Sequence, residues 1–296
     1  MLSVAAAQMP SPASNRSVHS LVACQRLTSL PKPCLIGFPY DASSSFLRGS
    51  AGAPPLVRAA LHSPSANHWT ESLLDVSAPG MLGDAGDLAL PPTADARALI
   101  EEGVSALLAA GSQPIALGGD HSVTFPILRA INAHHAAPTI LHIDAHPDLY
   151  NEFEGDRFSH ACPFARIMEA GLASRLVQVG IRTMALEQRR QADRFGVEVI
   201  DMRAWSDGAR PVVEGPVYIS VDLDGLDPAF APGVSHWEPG GLTVREVLGM
   251  IQSLRGPIIG ADVVEFNPVR DATGMTAMVA AKIVKELASA MYRTVN

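Results

Sequence analysis

Acidic and imidazole side chains alternate in the segment LHIDAHPDLY, residues 141–150, directly after an apolar run. Asp144, His146 and Asp148 stand at every second position, and residues with that spacing in an extended chain point to the same side. Carboxylates are rarely buried without a partner, because the loss of hydration is costly. This pattern of oxygen and nitrogen donors at the end of a buried strand therefore indicates a metal site.

Three other apolar runs end in side chains of the same kind. Asp120 and His121 follow the run PIALGG. Asp222 and Asp224 follow VYISV, and Glu265 follows IIGADVV. In an open parallel sheet, ligands bind outside the carboxyl ends of the strands. We therefore expect the polar residues after all four runs to meet at one edge of one sheet.

Mutual repulsion would make such a cluster of aspartates costly without cations. Two divalent cations balance four carboxylates, and oxygen and imidazole donors without thiolate favour Mn²⁺ among the transition metals. A pair of metal ions also lowers the pKa of a bridging water toward neutral pH.

Two of the aspartates have a purely structural alternative. Asp120 could serve only as the cap of the helix that follows it, and Asp227 could serve only to start a turn before Pro228.

The rest of the chain alternates between strand-like and helix-like segments from residue 34 onward. This alternation predicts a mostly parallel α/β sheet with helices on both faces. Thr243 and Glu246 form a capping-box pattern at the start of one helix. The predicted strands are CLIGF, PIALGG, TILHIDAH, LVQVGIR, VEVID, PVYISVDLD and IIGADVVEF, and the predicted helices span 94–110, 123–134, 163–170, 243–254 and 275–291.

Composition narrows the range of partners. The 296 residues carry a formal charge of −8 and are 47% hydrophobic, which argues against nucleic acid or an anionic membrane as the main partner. No apolar run approaches the roughly 20 residues that span a bilayer, so we expect a soluble protein.

The three cysteines are Cys24, Cys34 and Cys162. They form no disulfide framework and are expected to be buried as small apolar residues.

Residues 1–33 differ from the remainder of the chain. They contain no acidic residue, six serines and three basic residues. That composition is compatible with a mitochondrial transit segment or with an amino-terminal extension that packs as a cap. We expect a cytoplasmic protein in which 34–296 form one catalytic domain, with a mitochondrial location as the alternative if 1–33 are a transit segment.

Four motifs together resemble the ureohydrolases, the family of arginase, agmatinase and their relatives. They are GGDHS at 118–122, DAHPD at 144–148, SVDLDGLDP at 220–228 and VVEFNP at 263–268. Segments such as FEGDRFSHACPF and APGVSHWEPGG look like plant-type arginases, and the resemblance covers about residues 34–292. It implies a three-layer αβα fold, two Mn²⁺ ions per subunit, and hydrolysis of a guanidinium group to urea and an amine by a metal-bridging hydroxide.

The resemblance also implies roles for single residues. His160 aligns with a proton-shuttling histidine, Glu265 with the acid that holds the guanidinium, and Asp148 could accept the hydroxide's proton. Structural alternatives are that His160 caps a nearby helix and that Glu265 pairs with Arg270. The implied metal ligands are His121 and Asp148 on one ion, His146 and Asp224 on the other, and Asp144 and Asp222 as bridges.

The two candidate substrates differ at the end away from the guanidinium group. Arginine has an α-carboxylate there, and agmatine lacks one. Asn151, Arg157 and Ser159 are candidates to receive that carboxylate. Trp237 and Asp156 lie in loops that could also line the substrate end.

The plant-type similarity favours an arginase that converts L-arginine to L-ornithine and urea. Agmatinase, which releases putrescine and urea, or another guanidino-acid ureohydrolase is the alternative. A two-metal phosphoesterase and a metal-binding protein without catalysis are less compatible with the motifs. Relatives of this type form rings, so we expect a homo-oligomer, either a trimer or a hexamer.

Overall fold

A single sheet of eight parallel strands forms the centre of the computed structural model, which describes residues 33–293. The strand order across the sheet is β2-β1-β3-β8-β7-β4-β5-β6, and every neighbouring pair is parallel. All carboxyl ends therefore lie at one edge. The strands are β1 (Pro33–Gly37), β2 (Gly83–Asp87), β3 (Gln113–Leu117), β4 (Thr139–Ile143), β5 (Arg175–Ile181), β6 (Glu198–Asp201), β7 (Val217–Asp222) and β8 (Ile258–Val264).

Helices cover both faces of this sheet and give it the expected three αβα layers. Apolar side chains of α1, α6, α7 and α8 pack on one face, and those of α2, α3, α4 and α5 pack on the other. The α-helices are α1 (Ala53–Leu61), α2 (Ala96–Ala109), α3 (Thr124–His134), α4 (Pro163–Glu169), α5 (Leu186–Phe195), α6 (Met202–Ser206), α7 (Val244–Ser253) and α8 (Met275–Arg293). Among residues 33–293, none of the helices combines the length and apolar character that a membrane span requires.

The seven predicted strands and five predicted helices are confirmed, with helix ends that agree to within two residues. Four elements were not predicted: β2, α1, α5 and α6. β2 has the sequence GDAGD, which contains no large apolar residue because it lies at the edge of the sheet. The helix α1 begins APP, and the two prolines fit because the N–H groups of a first turn have no intrahelical partner.

Several smaller predictions also have outcomes. Cys34 and Cys162 are buried and free, whereas Cys24 and most of the 1–33 extension lie outside the described residues. A Cβ at Gly119 would collide with the backbone oxygen of Tyr40, so only glycine allows the two backbone segments to approach this closely. The division of the chain near residue 33 stays a prediction.

The capping box at the start of α7 is confirmed. The Thr243 hydroxyl accepts from the N–H of Glu246 at 3.2 Å, and the Glu246 carboxylate accepts from the N–H of Thr243 at 2.8 Å. Glu246 also accepts from the indole N–H of Trp205 at 2.8 Å. The box therefore fixes both the start of α7 and its contact with α6.

We predict that Thr243→Ala lowers the free energy of unfolding by about 1 kcal/mol, because an orphan N–H of the first turn loses its acceptor. Urea denaturation monitored by circular dichroism measures the change. Thr93→Ala is the matched control, since the Thr93 hydroxyl contacts only the exposed Asp95 side chain. Equal destabilisation by the two substitutions would contradict the assignment.

Candidate metal centre and active site

The polar residues that follow β3, β8, β7 and β4 lie at the carboxyl edge of four adjacent strands. A cavity of about 390 Å³ opens there. His121 and Asp144 are fully buried beside it. The predicted site residues on its wall are His146, Asp148, His160, Asp222, Asp224 and Glu265.

One group of donor atoms surrounds the His121 ring. Its Nδ1 lies 3.2 Å from Oδ2 of Asp144, 3.1 Å from Oδ2 of Asp148 and 3.0 Å from Oδ2 of Asp222. These four residues come from three different strand ends. The sheet therefore brings together side chains that are up to 101 positions apart in the sequence.

The tautomer of neutral His121 is set by its hydrogen bond to Ser220, which in turn contacts Asp262. The Ser220 hydroxyl lies 2.7 Å from Oδ1 of Asp262, and because an ionised carboxylate only accepts, Ser220 must donate there. Ser220 then accepts from Nε2–H of His121 at 2.9 Å. In the neutral ring, Nδ1 carries the lone pair. This buried atom has no hydrogen-bond partner in the described chain, and it faces three carboxylates.

A second group surrounds His146 and shares Asp144 with the first. Nδ1 of His146 lies 3.4 Å from Oδ1 of Asp144 and 3.2 Å from Oδ2 of Asp224. The two oxygens of Asp144 thus face different groups, as a bridging carboxylate requires. For Asp222 only Oδ2 faces His121, because its Oδ1 accepts from the N–H of Asp224 at 2.8 Å.

These donors fit divalent cations. Two ligands bound about 2.1 Å from a small ion at right angles lie about 3 Å apart, and the donor atoms here are 3.0 to 3.4 Å apart. Burial, followed by Asp224 and Asp144, raises the pKa of Asp222 well above its usual value. Burial likewise raises the pKa of Asp224 to about 6. Positive ions would remove this resistance to ionisation, and oxygen and imidazole donors suit Mn²⁺ or a neighbouring transition metal.

His160 and Glu265 form a pair next to the donor groups. Nδ1 of His160 donates to Oε1 of Glu265 at 3.1 Å, and Nε2 lies 2.9 Å from the Ser45 hydroxyl. Burial disfavours the charged ring, but the Glu265 hydrogen bond together with the negative charges of Glu265, Asp148 and Asp120 outweighs this effect and raises the pKa of His160 to about 9. Burial also opposes ionisation of Glu265, yet His160 and the N–H of His121 lower the pKa of Glu265.

The structural alternatives have clear outcomes. Glu265 does not pair with Arg270, whose guanidinium lies 4.9 Å from the Trp237 ring centroid. His160 does not cap α4, since its ring contacts Ser45 and Glu265 instead.

Asp120 and Asp227 have the structural roles that were the alternatives to a role in the site. Asp120 accepts from the N–H of Ser122 at 3.1 Å and caps the short 3-10 helix before α3. Asp227 accepts from Ala229 and also from the N–H groups of Gly240 and Gly241, which closes the 227–241 loop.

The candidates for the far end of the substrate are not on the cavity wall. Oδ1 of Asn151 accepts from the guanidinium groups of Arg157 and Arg166. Arg157 also pairs with Glu169 at 3.0 Å, and Ser159 is buried against the N–H of Ala161. Their role as substrate contacts stays a prediction. Trp237 and Asp156 do not line the cavity either.

Sequence reasoning missed several residues of the site. His142 donates to Oδ2 of Asp144 at 2.7 Å, and its other nitrogen accepts from Gln178. It continues the every-second-residue pattern of 144–148 backward, so the signal was present. His236 also lines the cavity, with its ring centroid 5.2 Å from that of His160. No local pattern distinguishes His236 from a surface histidine.

We predict that the His160–Glu265 pair stabilises the metal-free fold in a pH-dependent way. A raised histidine pKa contributes stability that is fully present below the unfolded value of about 6.5 and is lost as pH rises through about 9. In chelator-treated protein, the difference in free energy of unfolding between wild type and His160→Gln should fall by on the order of 3 kcal/mol across that window. A difference that stays constant from pH 6 to 10 would contradict the assignment.

The geometry can be compared with known proteins. The sequence profile of the arginase family matches residues 32–289. Arginase 1, mitochondrial, of Arabidopsis thaliana is 48% identical over 273 residues, which cover 86% of this chain and 80% of that protein.

A solved arginase from Medicago truncatula superposes with a TM-score of 0.85 at 43% identity, covering 92% of this chain and 91% of that one. The mitochondrial agmatinase of Gallus gallus is more distant, at 34% identity over 85% of this chain and 78% of that protein. The profile match, the identities and the shared fold agree with the donor set at the sheet edge, and the chain belongs to the arginase family.

Proposed function

We propose that the chain is a binuclear manganese hydrolase that converts L-arginine and water to L-ornithine and urea. The observation that carries the proposal is one cavity in which two groups of metal donors share Asp144 and lie beside the buried acid Glu265. Relatives named arginase at 46–48% identity support the same activity. Within residues 33–293, no lysine or arginine lines the cavity, which argues against a phosphoesterase.

Six residues would hold the metal ions. His121 and Asp148 would bind one ion, and His146 and Asp224 would bind the other. Asp144 and Asp222 would contribute to both. When bound, the pair of Mn²⁺ ions supplies hydroxide at neutral pH as the attacking group. His142, Gln178, Ser220 and Asp262 keep these ligands oriented through the hydrogen bonds described above.

Glu265 receives the substrate guanidinium. Its Oε1 is occupied by the N–H of His121 and by His160, whereas Oε2 has no hydrogen-bond partner in the described chain. The lowered pKa keeps this carboxylate ionised, and its negative charge matches the cationic guanidinium. Glu265 thereby fixes the position of the guanidinium carbon relative to the metal ligands.

His160 moves the proton that the leaving amine needs. Hydrolysis forms a C–O bond and breaks the bond from the guanidinium carbon to the alkyl nitrogen, which must gain a proton to leave as ornithine. The raised pKa of His160 favours the protonated ring, and the ring lies on the cavity wall. Asp148 can accept a proton from the attacking water and is on the same wall.

Three further features stay predictions. Several arginase relatives are named mitochondrial, which supports the alternative that residues 1–33 direct this chain to mitochondria rather than leaving it in the cytoplasm. The homo-oligomer, trimer or hexamer, is expected from the ring-forming relatives. Contact of Asn151, Arg157 or Ser159 with the α-carboxylate would require these residues to leave their present partners.

The metal assignment predicts a stoichiometry. Wild-type protein loaded with Mn²⁺ and passed through a desalting column should retain about two ions per subunit by elemental mass spectrometry. Asp144→Asn should retain fewer than one, because Asp144 belongs to both donor groups. Asp156→Asn, in an exposed loop, is the matched control and should retain two. Full metal content in Asp144→Asn would contradict the shared role of this carboxylate.

The activity assignment predicts urea release from L-arginine by the Mn²⁺-loaded protein. Glu265→Gln should lower kcat/KM by about 100-fold or more, because the charge opposite the guanidinium is lost. Glu152→Gln, an exposed acid outside the cavity, should leave kcat/KM unchanged. Absence of urea from arginine, agmatine and guanidinobutyrate alike would refute the class, and urea from agmatine alone would refute only the arginine assignment.

A further inference from the structure

The loop between β1 and α1 brings a hydroxyl group to the ring of His160. Ser45 lies on the cavity wall, and its Oγ is 2.9 Å from Nε2 of His160. Ser45 is exposed, whereas His160 is only 8% exposed. In the part of the chain that the structure describes, Oγ of Ser45 has no other hydrogen-bond partner. The hydroxyl group therefore lies between the buried ring and the open cavity.

Only one nitrogen of His160 is placed to exchange a proton. Nδ1 lies 3.1 Å from Oε1 of Glu265, and an ionised carboxylate accepts hydrogen bonds but cannot donate them. Nδ1 therefore keeps its proton whether the ring is neutral or charged. A proton that enters or leaves the ring does so at Nε2, and this nitrogen faces Ser45.

A hydroxyl group can bond to the ring in both of its charge states. When Nε2 of His160 carries a proton, it donates to Oγ of Ser45, and the O–H of Ser45 is then free to donate into the cavity. When Nε2 has no proton, the O–H of Ser45 donates to it. Only the hydroxyl hydrogen has to move between these two arrangements, so the contact lasts through a cycle in which His160 loses and regains a proton.

Backbone contacts hold this hydroxyl group in place from both sides. On one side, the N–H of Ser43 donates to Oδ2 of Asp120 at 2.9 Å, and the carbonyl oxygen of Ser43 accepts from the N–H of His160 at 3.2 Å. On the other side, the carbonyl oxygen of Leu47 accepts from the buried amide of Asn267 at 2.7 Å. Leu47 has a φ angle of +46°, which is unfavourable for leucine. Strain that neighbouring groups fix in this way is found at functional sites.

We propose that Ser45 relays the proton between His160 and the leaving nitrogen of the substrate. The inference rests on the proposed function, since it describes the path of the proton that His160 delivers. The Nε2–H bond of His160 breaks and its proton binds to Oγ of Ser45, while the original O–H bond of Ser45 breaks and that proton binds to the alkyl nitrogen. The alkyl nitrogen keeps the electron pair of the broken C–N bond.

The protons of the whole turnover balance. Ser45 ends each delivery unchanged, and His160 ends it neutral. The attacking water loses as many protons in becoming the oxygen of urea as the alkyl nitrogen gains in becoming an ammonium group. His160 therefore regains its proton from within the cavity by the reverse path, and no external acid is required.

The test compares two variants that have nearly the same shape. Ser45→Thr keeps the hydroxyl group, whereas Ser45→Val replaces it with a methyl group that also prevents a water molecule from taking the place of Oγ. In Mn²⁺-loaded protein, kcat for urea release should be about 100-fold lower in Ser45→Val than in Ser45→Thr, at the lower end of the effect of a positioned acid or base. KM should be equal in the two variants, because neither changes Glu265. The substrate is L-arginine, or agmatine if the wild type hydrolyses only agmatine.

Ser44→Val is the matched control in the same loop. The Ser44 hydroxyl lies 3.4 Å from Oδ2 of Asp120, and Ser44 does not line the cavity, so this substitution should leave kcat unchanged. Calorimetry with the product amine measures binding without turnover. It should give the same affinity for Ser45→Val and Ser45→Thr, which shows that the cavity is intact in both.

Three results would overturn the proposal. The first is an equal kcat in Ser45→Val and Ser45→Thr, and the second is a rise of KM in Ser45→Val without a fall of kcat. The third is a fall of kcat in Ser44→Val as large as that in Ser45→Val. Failure of the proposed function is a separate result, because it appears in the wild-type protein as absent urea release from every guanidino substrate.

Discussion

The arrangement of this protein depends on one electrostatic constraint: one imidazole nitrogen, Nδ1 of His121, and three carboxylates meet in a buried place. Nε2–H of His121 donates to Ser220, so in the neutral ring Nδ1 carries a lone pair that faces Asp144, Asp148 and Asp222, whereas in the protonated ring Nδ1–H can donate to them. Three carboxylates gathered around one nitrogen in a poorly hydrated site repel one another strongly. A positive charge among these atoms offsets the repulsion: without a cation, the carboxylates raise the pKa of His121 well above its usual value despite burial, and the shared carboxylate of Asp144 extends the same requirement to the group around His146.

The scaffold accommodates this constraint by fixing the surrounding backbone. The guanidinium of Arg182 donates to the carbonyl oxygens of Gly180, Asp224, Gly225, Leu226 and Glu238, and so joins the end of β5 to the turn that carries Asp224. Asp148 and Glu265 have φ angles of +50° and +61°. Side chains in this left-handed region cost free energy, and both residues face the cavity. Backbone strain is therefore found at the residues whose side chains have to point at the substrate.

Sequence reasoning could predict the residues that immediately follow buried strands. Asp144 and Asp222 stand at fixed offsets from apolar runs, and parallel topology alone brings such residues together. It could not predict which loops cover the cavity, because these contacts depend on distant partners. Ser45 reaches His160 across 115 positions.

The helix α5 shows the same limit. Its sequence, LEQRRQADRF, is mostly polar, so it has no apolar stripe that would predict a helix, yet its one fully covered first-turn side chain, Gln188, lies on the cavity wall. Conversely, Asn151 and Arg157 have the right chemistry for a carboxylate, but they are bound to each other and to Arg166 and Glu169.

The charges around the cavity also account for a guanidinium substrate. Four aspartates balance two divalent ions, which leaves Glu265 as the remaining acid on the wall. His160 and the N–H of His121 occupy Oε1 of Glu265, so a positive guanidinium would bind at the remaining oxygen, Oε2. A neutral amide would bring no positive charge to this oxygen, and an anionic phosphate ester would be repelled by it. The part of the wall that follows β5 is formed by Thr183, Met184, Ala185 and Gln188 and carries no charged side chain, so at that end of the cavity discrimination among guanidinium compounds depends on the direction of neutral polar groups.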